Sequence, residues 1–130
     1  MPVKRIEIRW RDMDGFGHVN NSTYLTYLEE ARDQFLTDLL GEAVHRIVIR
    51  RIEIDFVSGL TQDDDHVDVE VQLTGVGTSS LTLAERIVST ADGRVAATAN
   101  TVMVHTDDSR TASAPWPTAA RAVLGASIPA

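Results

Sequence analysis

The chain has 130 residues, 43% of them hydrophobic and 5% aromatic, and a formal net charge of -7. This length suffices for one domain with a hydrophobic core, and the acidic charge argues against nucleic acid as a partner, because phosphate backbones bind basic surfaces. Cysteine is absent, which excludes disulfides, thiolate nucleophiles and cysteine-bound zinc and fits a reducing compartment.

The N-terminal residues lead directly into alternating charged side chains, without the apolar core of a signal peptide. No later apolar stretch is long enough to cross a bilayer. We therefore expect a soluble cytoplasmic protein with no membrane partner, built as a single domain over residues 1–130. From about residue 107 we expect a loosely packed tail, with a short helix that starts at Pro117 and ends at Gly125.

The first predicted element is a strand over Lys4–Arg11, because Ile6, Ile8 and Trp10 alternate with charged side chains. After a glycine-containing turn, apolar residues recur at helical spacing, which predicts a helix from about Ser22 to Leu40. At 1.5 Å per residue this helix would be about 28 Å long, enough to cross the face of a sheet.

Four further strands are predicted after the helix, and the last two are joined by Asp92-Gly93, a pair typical of a type I′ hairpin turn. The acidic run at 63–65 is predicted to be a solvated loop, since a metal site needs more ligands at fixed spacing. The fold class is therefore α+β, with one antiparallel sheet of about five strands wrapped around one long helix. The expected strands are 47–56, with a bulge near Arg50-Arg51, then 67–73, 80–89 and 94–105.

The segment between the first strand and the helix carries most of the reactive side chains. Residues 12–21 contain two acids, two glycines, a histidine and two amides. The first N–H groups of a helix lack intrahelical partners and carry partial positive charge, so they can polarise a carbonyl oxygen. A carboxylate beside them could attack that carbonyl directly or through water.

The run from residue 9 to residue 21 reads RWRDMDGFGHVNN, and Tyr24, Tyr27, Glu29, Ala31 and Arg32 follow it. This pattern resembles the hotdog-fold acyl-CoA thioesterases of the 4-hydroxybenzoyl-CoA thioesterase type. The resemblance continues through residues 52–56, 77–80 and 102–105. It implies a sheet wrapped around the long helix and hydrolysis of an acyl-CoA to a carboxylic acid and coenzyme A. It further implies no metal or redox cofactor, and homodimers or homotetramers that join sheets edge to edge, with the active site at a dimer interface.

The same resemblance assigns the catalytic carboxylate to Asp14, the second acid of the Asp-x-Asp pattern. Asp14 would act as a nucleophile that forms an acyl-enzyme anhydride, or as a general base on water. The backbone N–H of Asn21, at the start of the helix, would stabilise the oxyanion. Glu29 is the alternative catalytic acid, because a second branch of hotdog thioesterases places its acid on this helix.

Six further residues are candidates for substrate binding, and most have a structural alternative. Glycine at 15 and 17 permits positive φ or a close backbone approach, the histidine could orient its neighbours, and the first asparagine could cap the helix. A similar run in plant acyl-carrier-protein thioesterases gives that asparagine a second possible role, in catalysis. The two serines would also suit a hairpin turn. The candidates are Gly17, His18, Asn20, Tyr24, Ser79 and Ser80.

Several charged residues have more modest predicted roles. Asp12 is expected to secure the turn, Glu29 and Arg32 have helical spacing for an ion pair, and Glu30 is expected to face solvent. The phosphates of coenzyme A could be bound by arginines, although surface solvation is the favoured explanation for each arginine individually. These arginines are Arg50, Arg51 and Arg86.

Two other functions remain open at this point. An acyl-carrier-protein thioesterase would prefer carrier-bound substrates, and the acidic charge argues mildly against it because carrier proteins are usually acidic too. A noncatalytic acyl-CoA binding protein could keep the same fold without turnover.

Overall fold

The structure is a computed structural model that describes residues 2–129. This part of the chain contains five antiparallel strands and two α-helices. The two terminal residues of the predicted domain lie outside this range. The sheet order is β1-β3-β4-β5-β2. The elements are β1 (Val3–Glu7), α1 (Asn21–Leu40), β2 (Ile47–Phe56), β3 (His66–Val76), β4 (Ser80–Ser89), β5 (Val95–His105) and α2 (Thr118–Ala126).

The long helix α1 packs on one face of this sheet, and the hydrophobic core lies between them. Alternate side chains of β3 and β4 point to the helix and are buried, as their alternating sequence pattern predicts. Tyr24, Tyr27, Leu28, Ala31 and Leu36 cover the sheet from the helix side. The predicted hotdog architecture, one antiparallel sheet of five strands around a long helix, is confirmed.

Strand β2 lies at the outer edge of the sheet, and among the described residues it pairs only with β5. Its register shifts between Ile49 and Arg51, which confirms the bulge predicted from the change of apolar face near Arg50-Arg51. Val48, Ile49 and Phe56 remain exposed on this edge strand. The strand therefore presents unpaired backbone groups and apolar side chains to its surroundings.

The first strand is shorter than predicted. Alternation over Lys4–Arg11 predicts one strand, but β1 ends at Glu7 and a 3₁₀ turn follows over Trp10–Asp12. Ile6 and Ile8 are buried as expected, whereas Trp10 is 79% exposed. The carboxylate of Asp12 accepts a hydrogen bond from the backbone N–H of Arg9 and so closes the turn that interrupts the alternation.

The connection between β4 and β5 does not contain the predicted type I′ turn. The backbone N–H of Ser89 donates to the carbonyl of Arg94, and the N–H of Gly93 donates to the carbonyl of Ser89. Gly93 has a positive φ of 77°, but Asp92 does not have a positive φ. A type I′ turn needs two such residues, and that prediction is wrong.

The tail packs against the core rather than loosely. Trp116 and Leu124 are buried in the hydrophobic core, and α2 contacts both β3 and α1. The indole N–H of Trp116 donates to the carbonyl of Ser80, and the guanidinium of Arg121 donates to the carbonyl of Gly77. Two large apolar side chains and these hydrogen bonds are enough to fix a segment whose composition alone indicates loose packing.

Arg32 does not pair with Glu29, as helical spacing predicts, but with Glu85 on β4. The Arg32 Nη1 to Glu85 Oε2 distance is 3.0 Å, and both side chains are almost fully buried. Thr101 on β5 also donates to the Glu85 carboxylate. Burial raises the pKa of Glu85 against the opposing effect of Arg32 and Thr101. The ion pair thus joins α1 to the centre of the sheet.

Candidate active site

Asp12 forms the base of the loop between β1 and α1. Its side chain is buried, and the carboxylate accepts hydrogen bonds from the backbone and guanidinium of Arg9 and from the hydroxyl of Tyr27. Burial opposes ionisation, but these donors outweigh it and lower the pKa of Asp12. Its carbonyl accepts from the N–H of Asn20, 2.9 Å away. Asp12 therefore secures the turn, as predicted.

The loop holds the half-buried carboxylate of Asp14 by one oxygen. Asp14 Oδ1 accepts hydrogen bonds from the N–H groups of Phe16 (2.8 Å) and His18 (3.3 Å). The Asp14 N–H in turn donates to the His18 carbonyl at 2.7 Å. Within residues 2–129, Oδ2 receives no hydrogen bond. One carboxylate oxygen is thus fixed, and the other remains available for chemistry.

Asn20 is the N-cap of α1. Its side-chain oxygen accepts from the N–H and the hydroxyl of Ser22, and its carbonyl accepts from the N–H of Thr23. No acceptor for the Asn21 N–H is found among the described residues. Of the first three helical N–H groups, the one at Asn21 is therefore free to bind an oxygen at the positive end of the helix.

The loop conformation requires glycine at only one of the two predicted glycine positions. Gly17 has a φ of 84°, which favours glycine, whereas Gly15 has neither a positive φ nor a neighbour close to where a Cβ would stand. The prediction that Gly15 permits a positive φ or a close backbone approach is therefore wrong. His18 is exposed, and its ring lies against Gly59, where an added Cβ would be 3.2 Å from His18 Cδ2.

Tyr24 lies one turn into α1 with its ring buried. The hydroxyl donates to the carbonyl of Ser58 at 3.4 Å, and the ring meets Phe56 edge to face with centroids 5.2 Å apart. Burial raises the pKa of Tyr24. Tyr24 therefore links the start of the helix to the end of β2.

The remaining candidates lie away from this cluster. Glu29 is exposed on α1, about 12 Å along the axis from Asn21 at 1.5 Å per residue. Ser80 pairs with Val104, near the C-terminal end of β5. Ala96 lies near the other end of β5, and its carbonyl accepts hydrogen bonds from Val57 and Ser58, in the segment that lies beside His18. At about 3.3 Å per residue these two ends of β5 are about 26 Å apart. Ser79 and Ser80 therefore do not approach Asp14 within one chain.

The three arginines proposed for phosphate binding have different surroundings. Arg86 pairs with Glu70 across β3 and β4 at 2.7 Å, and Arg51 pairs with Glu53 on β2 at 3.1 Å. Arg50 is exposed in the bulge and forms no ion pair with a described residue. Arg50 thus has the most available charge of the three.

A cavity of about 470 Å³ lies at the opposite end of the helix from Asp14. Phe35 and Leu39 of α1 and Val71 of β3 line it. Phe35 is about 21 Å along the helix from Asn21 at 1.5 Å per residue. This cavity is lined mainly by apolar side chains and contains none of the candidate catalytic residues. The candidate active site is therefore the loop between β1 and α1.

The sequence pattern did not predict an ion pair that supports the segment carrying Gly59, which lies beside His18. Asp64, predicted to be solvated, is buried and accepts from Arg94 Nη1 at 2.8 Å and from the hydroxyl of Ser89 at 2.7 Å. Arg94 Nη2 also donates to the carbonyl of Gly59 at 2.7 Å. The spacing of Thr61 and Asp64, which form a capping box, was the available signal.

This ion pair predicts a pH dependence of stability. The Arg94 side chain, with further donors that outweigh burial, lowers the pKa of Asp64 from 3.8 to about 2. Because the pKa of Asp64 is lower in the folded state than in the unfolded state, its ionised carboxylate stabilises the fold at pH values above the unfolded-state pKa. This stabilisation is lost as the pH falls from about 4 to about 2. We expect Asp64→Asn to lower the free energy of unfolding by about 2 kcal/mol at pH 7, measured by urea denaturation.

The same variant should unfold with nearly the same free energy as wild type at pH 2. Asp63→Asn, one residue away on an exposed side chain, is the matched control and should show the wild-type pH profile. A constant difference between Asp64→Asn and wild type from pH 7 to pH 2 would contradict the linkage.

Within residues 2–129, no three His, Asp or Glu side chains come together as a metal site would require. No helix there combines the length and apolar character needed to span a bilayer.

Residues 8–124 match the model of the thioesterase-like superfamily. A thioesterase from Thermus thermophilus, solved with coenzyme A and Zn, is 31% identical, with a TM-score of 0.86 over 95% of this chain and 91% of that one. A predicted thioesterase from Bacillus stearothermophilus is 28% identical, with a TM-score of 0.86 over 97% and 95% of the two chains.

A candidate acyl-CoA thioesterase from Xanthomonas campestris is 31% identical, with a TM-score of 0.75 over 88% of this chain and 97% of that one. The sequence has no significant match among curated proteins.

Proposed function

Because the chain belongs to the thioesterase-like superfamily, we propose that it hydrolyses an acyl-CoA thioester to a carboxylic acid and coenzyme A, with Asp14 as the catalytic carboxylate. The candidate acyl-CoA thioesterase among its structural neighbours, and the neighbour solved with coenzyme A, support this substrate class. The proposed reaction needs water and the thioester, and no metal or redox cofactor.

The observation that carries the proposal is the combination of one free carboxylate oxygen and one free helical N–H. Asp14 Oδ2 and the N–H of Asn21 both lack partners within residues 2–129. The loop that fixes Asp14 ends at Asn20, the N-cap of the same helix. A thioester whose carbonyl oxygen binds at Asn21 would thus present its carbon to the loop that holds Asp14.

Two routes use these groups. As a nucleophile, Asp14 would add to the carbonyl carbon and displace the thiolate, which takes a proton from solvent. Water would then hydrolyse the anhydride to the carboxylic acid and the free Asp14 carboxylate, which returns a proton to solvent. As a general base, Asp14 would take a proton from water while the hydroxide adds, and that proton would pass to the departing thiolate. In both routes the oxyanion develops beside the Asn21 N–H, where a single donor is worth about 10²–10³ in turnover.

Asp14 is preferred to Glu29 because of its surroundings. Backbone donors orient the Asp14 carboxylate, whereas Glu29 is exposed and receives no hydrogen bond from a described residue. This preference also supports the 4-hydroxybenzoyl-CoA thioesterase type, in which the catalytic acid lies before the helix. The proposal extends to that type only if Asp14 proves essential.

The choice between coenzyme A and a carrier protein is tested with one acyl group on both. Purified protein should release thiol from the acyl-CoA with a kcat/KM at least about tenfold above that for the carrier-bound group. A reversed preference would identify an acyl-carrier-protein thioesterase instead. Tight acyl-CoA binding without release would identify a noncatalytic binding protein.

We further propose that the site is completed by a second copy of the chain. The exposed edge of β2 carries apolar side chains and could pair with the same edge of a partner. Antiparallel pairing would place the Phe56 end of one strand beside the Ile47 end of the other. Ile47 pairs with His105, whose N–H donates to Ser79. The Ser79–Ser80 turn of one copy would therefore approach Asp14 of the other.

Subunit mixing tests this arrangement. Asp14→Asn and Ser79→Glu should each abolish most activity, the second because its charge would repel the phosphates of coenzyme A. Mixed dimers contain one site with both residues intact, so an equal mixture should recover about one quarter of wild-type activity. A mixture no more active than the average of the two variants, despite verified exchange, would contradict a shared site.

A further inference from the structure

We propose that Tyr27 is a positioning residue, which holds Asp14 in its productive orientation through a hydrogen bond to Asp12. This inference rests on the proposed function, because it concerns the same reaction. Tyr27 lies on the buried face of α1, two turns from the N-terminus, and its position in the helical apolar pattern is explained by packing alone. Its hydroxyl is the part that packing leaves unexplained.

The Tyr27 hydroxyl donates to Asp12 Oδ2 at 2.8 Å, and both residues are about 2% exposed. Burial first, and then the Asp12 carboxylate, raise the pKa of Tyr27, so the phenol keeps the proton that it donates. The Arg9 backbone N–H donates to the same oxygen at 2.9 Å. Because charged acceptors strengthen hydrogen bonds, this contact is a strong link between the helix and the loop.

Asp12 connects Tyr27 to both strands of the loop, because it lies on one strand and is hydrogen-bonded to the other. Its carbonyl accepts from the N–H of Asn20, which closes the loop at its base. The next residues, Met13 and Val19, form an antiparallel bridge. One further step along the loop, the Asp14 N–H donates to the His18 carbonyl.

The loop therefore behaves as a small hairpin that is anchored to α1 at one end by the Asn20 cap and at its base by Tyr27. The Asn20 cap, and the hydrogen bond from the Val19 N–H to the Leu60 carbonyl at 2.8 Å, hold the strand of the hairpin that leads into α1. The Tyr27 hydroxyl holds the opposite strand through Asp12, and attachment of both strands fixes the angle between the Asp14 carboxylate and the first helical N–H groups. A displacement of 1 Å in such a constellation can cost about 10²-fold in rate.

Tyr27→Phe removes this hydroxyl and keeps the ring in the core. We expect kcat for thiol release to fall about tenfold while KM changes less than about twofold, since substrate contacts are untouched. Thr101→Val is the matched control, because it also removes a hydroxyl that donates to a buried carboxylate under α1, that of Glu85. Thr101→Val should keep the wild-type kcat.

Amide hydrogen exchange gives a readout that needs no turnover. In Tyr27→Phe, the N–H groups of Phe16, His18 and Asn20 should exchange at least about tenfold faster, because local opening of the loop becomes easier. Thr101→Val should leave these three amides unchanged, although its global stability falls. The effect of Tyr27 on the loop is thus separated from its effect on the fold.

The outcomes distinguish the two proposals. A wild-type protein that releases no thiol would overturn the proposed function, and loop exchange would still decide whether Tyr27 anchors the hairpin. An active wild type, with Tyr27→Phe equal to it in kcat and in loop exchange, would overturn the positioning role alone. Equal loss of kcat in Thr101→Val would reduce Tyr27 to a general contributor to stability and also overturn it.

Discussion

Asp14→Asn is expected to lower kcat for acyl-CoA hydrolysis by about 10²–10⁴, the range typical of losing a general acid or base. The amide keeps the size of the side chain and can still accept the hydrogen bonds from Phe16 and His18. It cannot attack a thioester or take a proton from water. Thiol release measured at saturating substrate gives this number, and the fall should appear in kcat rather than KM.

Two variants on α1 complete this experiment. Glu30→Gln is the control, because Glu30 is an exposed acid near the loop that takes no part in the proposed site, and its kcat should equal that of wild type. Glu29→Gln tests the alternative acid. If Glu29→Gln loses activity and Asp14→Asn keeps it, catalysis belongs to the helix and the proposed role of Asp14 is wrong.

The largest expected effect on stability comes from Arg32→Met. Removing one partner of a buried ion pair leaves the other charge uncompensated, which costs about 3–5 kcal/mol. Arg32 and Glu85 are both almost inaccessible to solvent, and Glu85 would retain only the Thr101 hydroxyl as donor. Urea denaturation should therefore show a large loss in the free energy of unfolding.

The matched control is Arg86→Met, which breaks an Arg–Glu pair on the exposed face of the sheet and should cost less than about 1 kcal/mol. In Arg32→Met/Glu85→Gln the uncompensated charge is gone, so this double variant should be more stable than Arg32→Met alone. Additive losses in the double variant would show that the two side chains act independently and would contradict the ion-pair account.

The sequence pattern predicted most of the architecture because local periodicity reports burial. Alternation in β3 and helical spacing in α1 each correspond to one buried face. The change of face near Arg50-Arg51 predicted the bulge in β2. These features depend on residues close together in the chain.

Features that depend on distant partners were not predictable in this way. Helical spacing suggested Glu29 for Arg32, whereas the actual partner lies 53 residues away on β4. The acidic run at 63–65 looks solvated until Arg94 folds against Asp64. Composition likewise indicates a loose tail, because it gives no sign that Trp116 reaches Ser80.

The candidate site shows the same division. Asp14, Asn20 and Asn21 are close in the chain, and the structure brings them together in one loop and one helix start. Ser79 and Ser80 were grouped with them by resemblance, yet they lie at the other end of the sheet. A site shared between two copies, as we propose, would bring the two serines of one copy to Asp14 of the other.

We propose that this protein turns over acyl-CoA by hydrolysis at Asp14. The most direct measurement quantifies free thiol and carboxylic acid in the same reaction, with aromatic, short and long acyl-CoAs. We predict equal amounts of both products over many turnovers with at least one acyl class, and release at least about 10²-fold slower with Asp14→Asn. Thiol release by wild type that is no faster than by Asp14→Asn, with every acyl-CoA, would contradict it.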